Sequence, residues 1–178
     1  MILRLFLYVM SVGMFVTFGC KQKDEPVKSA ELTQKAANEI LVGANKERLK
    51  IEQKKMDAYQ KRRKWDIEET PSGLRYLIYE HGSEALKVDT GQVAVINYEI
   101  KLTDGSVCYS SDSTGTKGFT IGKGQIEKGI EEGVLLMNKG DRAKFILPSH
   151  LGHGLMGDEV MIPSHAILVC DISLIDIR

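Results

Sequence analysis

The sequence predicts an α+β body, several antiparallel strands around one short helix, preceded by a helical stalk. Three observations carry this. From Leu74 onward apolar residues alternate or run in short blocks, the signature of strands. Between residues 122 and 140 one segment, IEKGIEEGVLLM, repeats them at helical spacing instead. Residues 29–65 contain no proline, a single glycine (Gly43) and an abundance of Ala, Glu, Lys, Gln and Leu, which favour helix. At 178 residues the chain has room for one domain plus appendages. Its 43% hydrophobic and 27% charged residues suffice for a core, which excludes wholesale disorder. Its 24 basic and 24 acidic residues leave no cationic excess, which excludes a general nucleic-acid binder.

The first element is an address rather than structure. Residues 1–20, MILRLFLYVMSVGMFVTFGC, place one Arg before an apolar run over residues 5–19 and a final Cys. That is the charged start, apolar middle and small-residue end of a secretory signal. A run of 15 residues is short for a membrane span, which needs about 20. The Gly19-Cys20 step resembles the lipobox of bacterial lipoproteins, in which the Cys becomes the lipidated first residue, although Thr17 stands where that pattern has Leu or Val. An uncleaved anchor is the alternative. Either reading puts the rest of the chain outside the cytoplasm, and the KQKDE run after Cys20 is similar to export tags of surface lipoproteins in some Gram-negative lineages. The expected division is 1–19 a signal peptide, 20–66 a lipid-anchored tether and charged helical stalk, and 67–178 the folded body.

In the stalk, Ser29 or Thr33 offers a start cap. Leu32, Ala36, Ile40 and Ala44 form a thin i, i+4 stripe, prolonged by Leu49 and Met56 before QKRRKW ends it. Sustained heptads are absent, which excludes a long coiled coil. Lys54, Lys55, Lys61, Arg62, Arg63 and Lys64 fit two readings, a solvated helical spacer or a juxtamembrane patch for anionic lipid. Charge divides with the segments: residues 21–66 hold 13 basic and 8 acidic side chains, residues 67–178 hold 10 and 16.

The body is read strand by strand. LRYLIYE is a short apolar run. VAVINYEIKL alternates, with Ala94, Ile96, Tyr98 and Ile100 on one face and Val95, Asn97 and Glu99 on the other. Asp104-Gly105 signals a hairpin. In the helical segment Ile126, Ile130, Val134 and Met137 recur on one face. RAKFILP and ILVCDISLIDI are two more strands; the last carries apolar residues on both faces and is expected at the centre of the sheet.

Taken in order, GQVAVINYEIKLTDGSVCYSS, FTIGKGQIEKGIEEGVLLMNKGDRAKFILPSHLGHG and MIPSHAILVCDISLIDI resemble the FKBP-type peptidyl-prolyl cis-trans isomerases over about residues 67–178. The leading TPSGLRYLIYEHG resembles the extra first strand of secreted bacterial members. The resemblance implies an FKBP-like twisted antiparallel sheet wrapped around the helix, an apolar pocket between helix and concave face, and rotation of X-Pro amides without a cofactor or metal. Matched to the family motif, Tyr98, Phe119, Ile126, Glu127, Ile130, His153 and Ile162 are the implied catalytic set, with Glu127 contributing its backbone N–H and its side chain expected on the helix surface. Cys108, Tyr109 and Cys170 are pocket-lining but altered. The family has aromatics where Cys108, Ile130 and Cys170 stand, an Asp at Tyr109 and a Tyr at His153, whose ring still offers a hydrogen bond.

In the family both cysteine positions line the pocket, so Cys108 and Cys170 are implied neighbours, either disulfide-bonded in an oxidising compartment or two small buried thiols. His150, His153 and His165 lack a Cys or carboxylate at a supporting spacing, so no metal is expected. Two functions stay open. One is a membrane-tethered isomerase acting on Pro-containing polypeptides in a Gram-negative envelope. The other is a catalytically weak or inactive relative, a peptide-binding module or an assembly lipoprotein of a surface or gliding complex. No nucleic-acid partner is expected.

Overall fold

The computed structural model describes residues 27–178 other than Glu84, with side chains from Gln34 onward. The expected signal peptide and Cys20 lie outside the described residues. Helix α1 (Val27–Arg63) comes first, then strands β1 (Glu68–Glu69), β2 (Arg75–Glu80), β3 (Val93–Leu102) and β4 (Val107–Ser110), a short helix α2 (Ser111–Thr114), β5 (Lys117–Thr120), helix α3 (Lys128–Val134), β6 (Arg142–Leu147) and β7 (Leu168–Ile177). The seven strands make one antiparallel sheet in the order β1-β2-β6-β7-β3-β4, with β5 also paired to β3. The strand with apolar residues on both faces, β7, lies between β6 and β3 as its pattern predicts. Asp104-Gly105 makes the β3–β4 turn, where Gly105 takes φ +98° and the Leu102 N–H donates to Ser106 O at 2.9 Å.

Alternation along β6 and β7 sorts their side chains onto two faces. Ala143, Phe145 and Leu147 with Leu168, Cys170, Ile172 and Leu174 join the main core, whereas Ile146 and Val169 face the other way and join a smaller cluster with Met56, Tyr59 and Ile167. The main core is closed by α3. Its glycines permit the approach: a Cβ at Gly129 would sit 2.6 Å from Leu147 Cγ, and one at Gly133 2.5 Å from the Phe145 ring. With no side chains in between, Ile130 and Val134 reach full burial. Each buried aliphatic contributes roughly 1.5–3 kcal/mol.

The smaller cluster corrects the picture of a solvated stalk. Glu52, Met56 and Tyr59 lie four and three residues apart on one face of α1 and are buried, and Trp65 and Ile67 pack beside them. Across the same junction the Arg75 guanidinium, on β2, pairs with Asp57 at 2.6 Å and Glu69 at 2.9 Å and reaches Gln60 at 3.3 Å. The compact unit that holds the sheet accordingly begins at Ala44, within α1, rather than at residue 67. In the other unit, Ile40, Leu41 and Val42 are exposed. Ser29 and Thr33 lie inside the helix, not at its start. Among the described residues no helix is long and apolar enough to cross a membrane.

Candidate functional site

Five of the residues picked out by the motif meet in one cleft of about 250 Å³ lined by Tyr98, Tyr109, Ile126, Glu127 and His153, together with Ile100, Lys117 and Asp158. Each wall has a local cause. Tyr98 and Ile100 are alternate residues of β3, so they share a face, and Tyr109 is held opposite Ile100 by the β3–β4 register. Ile126 and Glu127 precede α3, with Glu127 as its N-terminal flanking residue; its carbonyl accepts the Ile130 and Glu131 N–H groups, both at 3.0 Å. His153 and Asp158 come from the loop between β6 and β7.

The remaining predicted lining residues stand behind this surface. Phe119, Ile130, Ile162 and Cys170 are at most 2% exposed and belong to the core against which Tyr98, Tyr109 and Ile126 pack. Motif matching therefore marked both the cleft and its support. Cys108 is half-buried at the cleft's flank, its thiol donating to Met161 O at 3.7 Å, and both Cys108 and Cys170 are free thiols. Burial, reinforced by nearby carboxylates, raises both thiol pKa values above their ordinary value, so neither is a poised thiolate.

Two polar pairs set the cleft's electrostatics. Contrary to the expected surface position, the Glu127 side chain is only 13% exposed and bonds His153 Nε2 through Oε1 at 3.1 Å. A carboxylate and an imidazole thus occupy ground the resemblance implied to be apolar. The backbone N–H of Glu127 has no acceptor among the described residues. Across the cleft, the Tyr109 hydroxyl donates to Asp158 Oδ2. The other oxygen of Asp158 accepts three backbone N–H groups, Val160 at 3.0 Å, Met161 at 2.9 Å and Ile162 at 2.6 Å. Desolvation opposes charge on Asp158, but these four donors win and hold its carboxyl well below the usual carboxylate range. That same bond, with burial, pushes Tyr109 up to about 12. At the rim the Tyr98 hydroxyl lies 2.7 Å from Thr114 Oγ1.

Sequence reasoning missed Asp158, Lys117 and Ile100 as cleft residues. Asp158 did carry a signal: an Asp after glycine whose side chain bonds the next backbone N–H groups is an Asx-type turn. The histidines have separate partners. His150 Nε2 meets Ser72 O at 3.0 Å, His153 meets Glu127, and His165 Nδ1 faces Arg48.

An antiparallel sheet whose main core is closed by one short helix, with a cleft at that helix's start, defines the FKBP fold class. Residues 84–175 match the model of the FKBP-type peptidyl-prolyl cis-trans isomerase family, and the chain belongs to that family. The FkpA isomerase of Aeromonas hydrophila is 33% identical over 161 residues, covering 89% of this chain and 59% of the relative. Arabidopsis thaliana FKBP15-2 is 35% identical over 114 residues, covering 64% and 68%. Among solved structures, that of Escherichia coli FkpA superposes with a TM-score of 0.63 at 24% identity over 87% of this chain and 74% of the other, a likeness of fold. AtFKBP13 superposes with a TM-score of 0.61 at 28% identity over 64% of this chain and all of its own. The chain spans 59% of the length of FkpA from Aeromonas and from Neisseria meningitidis.

Proposed function

We propose that the chain is a peptidyl-prolyl cis-trans isomerase of a Gram-negative cell envelope, acting on Pro-containing polypeptides and tethered to a membrane through a lipidated Cys20. The observation that carries the catalytic part is the convergence of Tyr98, Ile126, Glu127 and His153 on one cleft, beside a Glu127 N–H that has no acceptor among the described residues. Rotation about an X-Pro amide must break resonance, a barrier of about 18–20 kcal/mol. A catalyst that favours the twisted amide lowers it, each ~1.4 kcal/mol being worth tenfold in rate. Here Ile126 and Ile100 give the proline ring apolar walls, the Glu127 N–H donates to the substrate carbonyl, and the Tyr98 and Tyr109 rings exclude water on the far side. No bond is made or broken, so the Glu127–His153 pair has orientation as its role and not proton transfer. The envelope part rests on residues 1–20 and on the bacterial FkpA relatives.

The Glu127–His153 pair also favours a second reading, a catalytically weak or inactive domain that binds Pro-containing peptides or serves assembly of a surface complex, because polar groups in the cleft reduce its fit to a twisted, dry amide. A protease-coupled X-Pro peptide assay on the full chain separates the two. Turnover above the uncatalysed rate, reduced by Tyr98→Phe and His153→Ala, supports the isomerase. Peptide binding without turnover by the folded chain leaves the binding module. For the anchor, metabolic labelling with a fatty acid that Cys20→Ala abolishes is the expected result, and unlabelled wild-type chain removes the lipid tether.

A further inference from the structure

Helix α1 holds both ends of the loop that carries His153 and Asp158. The loop starts with a tight 3-10 turn, Ser149–Leu151, preceded by Pro148, whose side chain supplies no cap. The buried N–H of Ser149 therefore needs an acceptor from elsewhere. Glu52 supplies it across 97 residues of sequence: Oε2 accepts the Ser149 N–H at 3.1 Å, and Oε1 accepts the Ser149 hydroxyl at 2.7 Å. Both residues are 5% exposed. At the far end of the loop, Arg48 donates from its guanidinium to His165 Nδ1 at 3.5 Å. Two backbone bonds join these ends through the middle. The Gly154 N–H donates to Ser149 O, and the His165 N–H donates to Gly154 O, both at 2.8 Å.

The bonds close a circuit from Glu52 to Ser149, Gly154, His165 and Arg48, and 48 and 52 stand one turn apart on one helix face. His153 is the residue next to Gly154 inside that circuit, and its ring carries the bond to Glu127. A buried carboxylate is a costly way to attach a helix, since apolar side chains do so without desolvating a charge. What it adds is a fixed register between α1 and the loop. We propose that Glu52 and Arg48 are positioning residues for the cleft: through Ser149, Gly154 and His165 they set where His153 stands against Glu127.

The kinetic consequence rests on the isomerase reading, but the structural one does not, and the test keeps them apart. In the full chain, Glu52→Ala and Glu52→Gln are compared with Met56→Ala, which loosens the packing of α1 without touching the circuit. Amide resonances and hydrogen exchange of Ser149 and Gly154, the imidazole resonance of His153 and kcat/KM on an X-Pro peptide are recorded. In Glu52→Ala the Gly154 and His153 resonances move, Gly154 exchange accelerates, and kcat/KM falls about tenfold through kcat. Glu52→Gln, which retains an acceptor, restores most of each, and Met56→Ala leaves His153 and Gly154 in place. Unmoved His153 and Gly154 resonances in Glu52→Ala, or the same shifts in Met56→Ala, overturn the proposal. If the wild-type chain shows no turnover, the isomerase reading fails by itself and the resonances alone decide the positioning role. Where Glu52→Ala does not fold, Arg48→Ala, which opens the circuit at its half-buried end, takes its place with the same readouts and the same deciding outcomes.

Discussion

The sheet carries a helix on each face, and the two are held by different means. On one face α3 sits close enough that Gly129 and Gly133 have no space for a methyl group, and its contacts with Leu147 and Phe145 are apolar. On the other, α1 is attached by a small apolar cluster, Met56, Tyr59, Ile146, Ile167 and Val169, framed by the Glu52–Ser149 bonds and the Arg75 ion pairs. Close packing fixes the first helix, whereas the second combines a small apolar contact with hydrogen bonds that set its register. The cleft depends on both, because α3 presents Glu127 and the loop tied to α1 presents His153.

Four measurements break or sharpen this contrast. The largest effect belongs to Phe145→Ala, which empties a fully buried site under α3 and should cost about 3–5 kcal/mol in urea unfolding. A loss below about 1 kcal/mol would mean that the face collapses around the gap. Gly133→Ala comes next, since the new Cβ meets the Phe145 ring at 2.5 Å, and overpacking of this kind costs about 1–3 kcal/mol. A neutral or stabilising outcome would remove close approach as the reason for glycine. On the opposite face, Arg75→Leu should cost only about 1 kcal/mol, because its partners Asp57 and Glu69 have side chains 65% and 47% exposed and return to water. A cost matching that of Phe145→Ala would show the ionic face to be as tightly coupled as the apolar one.

The smallest effect is one of pH at the cleft. Asp158 has its carboxyl depressed in the folded state, so its contribution is complete above the unfolded value of about 4 and fades as pH falls through the folded one. The stability gap between wild type and Asp158→Asn should therefore narrow between about pH 7 and about pH 3. Equal gaps at both pH values would make the Asp158 contribution independent of charge.

Legibility in the sequence divides along the same line. The strands β3, β6 and β7 and the helix α3 show in periodicity because each buries an apolar face against neighbours that ask nothing else of it. The docking of α1 shows only in part, because its contact face includes Glu52, and of the apolar stripe Ile40 and Leu49 are exposed while Met56 alone joins the buried cluster. At the cleft, the motif pointed to Tyr98, Tyr109, Ile126, Glu127 and His153, but spacing does not distinguish a lining residue from its support, so Phe119, Ile130, Ile162 and Cys170 arrived with them. Asp158 was hidden because its role is to gather loop N–H groups, a three-dimensional fact with only an Asx-type signal in one dimension. The side-chain bond from Glu127 to His153 joins residues 26 apart and has no pattern at all.

The position of β7 has a consequence for how the molecule is made. Its ten residues, Leu168–Ile177, form the last strand of the sheet in chain order yet the one between β6 and β3, pairing along the length of both. A chain emerging N-terminus first that stops short of residue 168 has two strands with open edges and no shared neighbour. Long-range pairing of this kind loses its loop-closure entropy before any contact compensates. Closure of the sheet is thus deferred until residues 168–177 are present in the folding compartment, and β3 and β6 have open edges until they are.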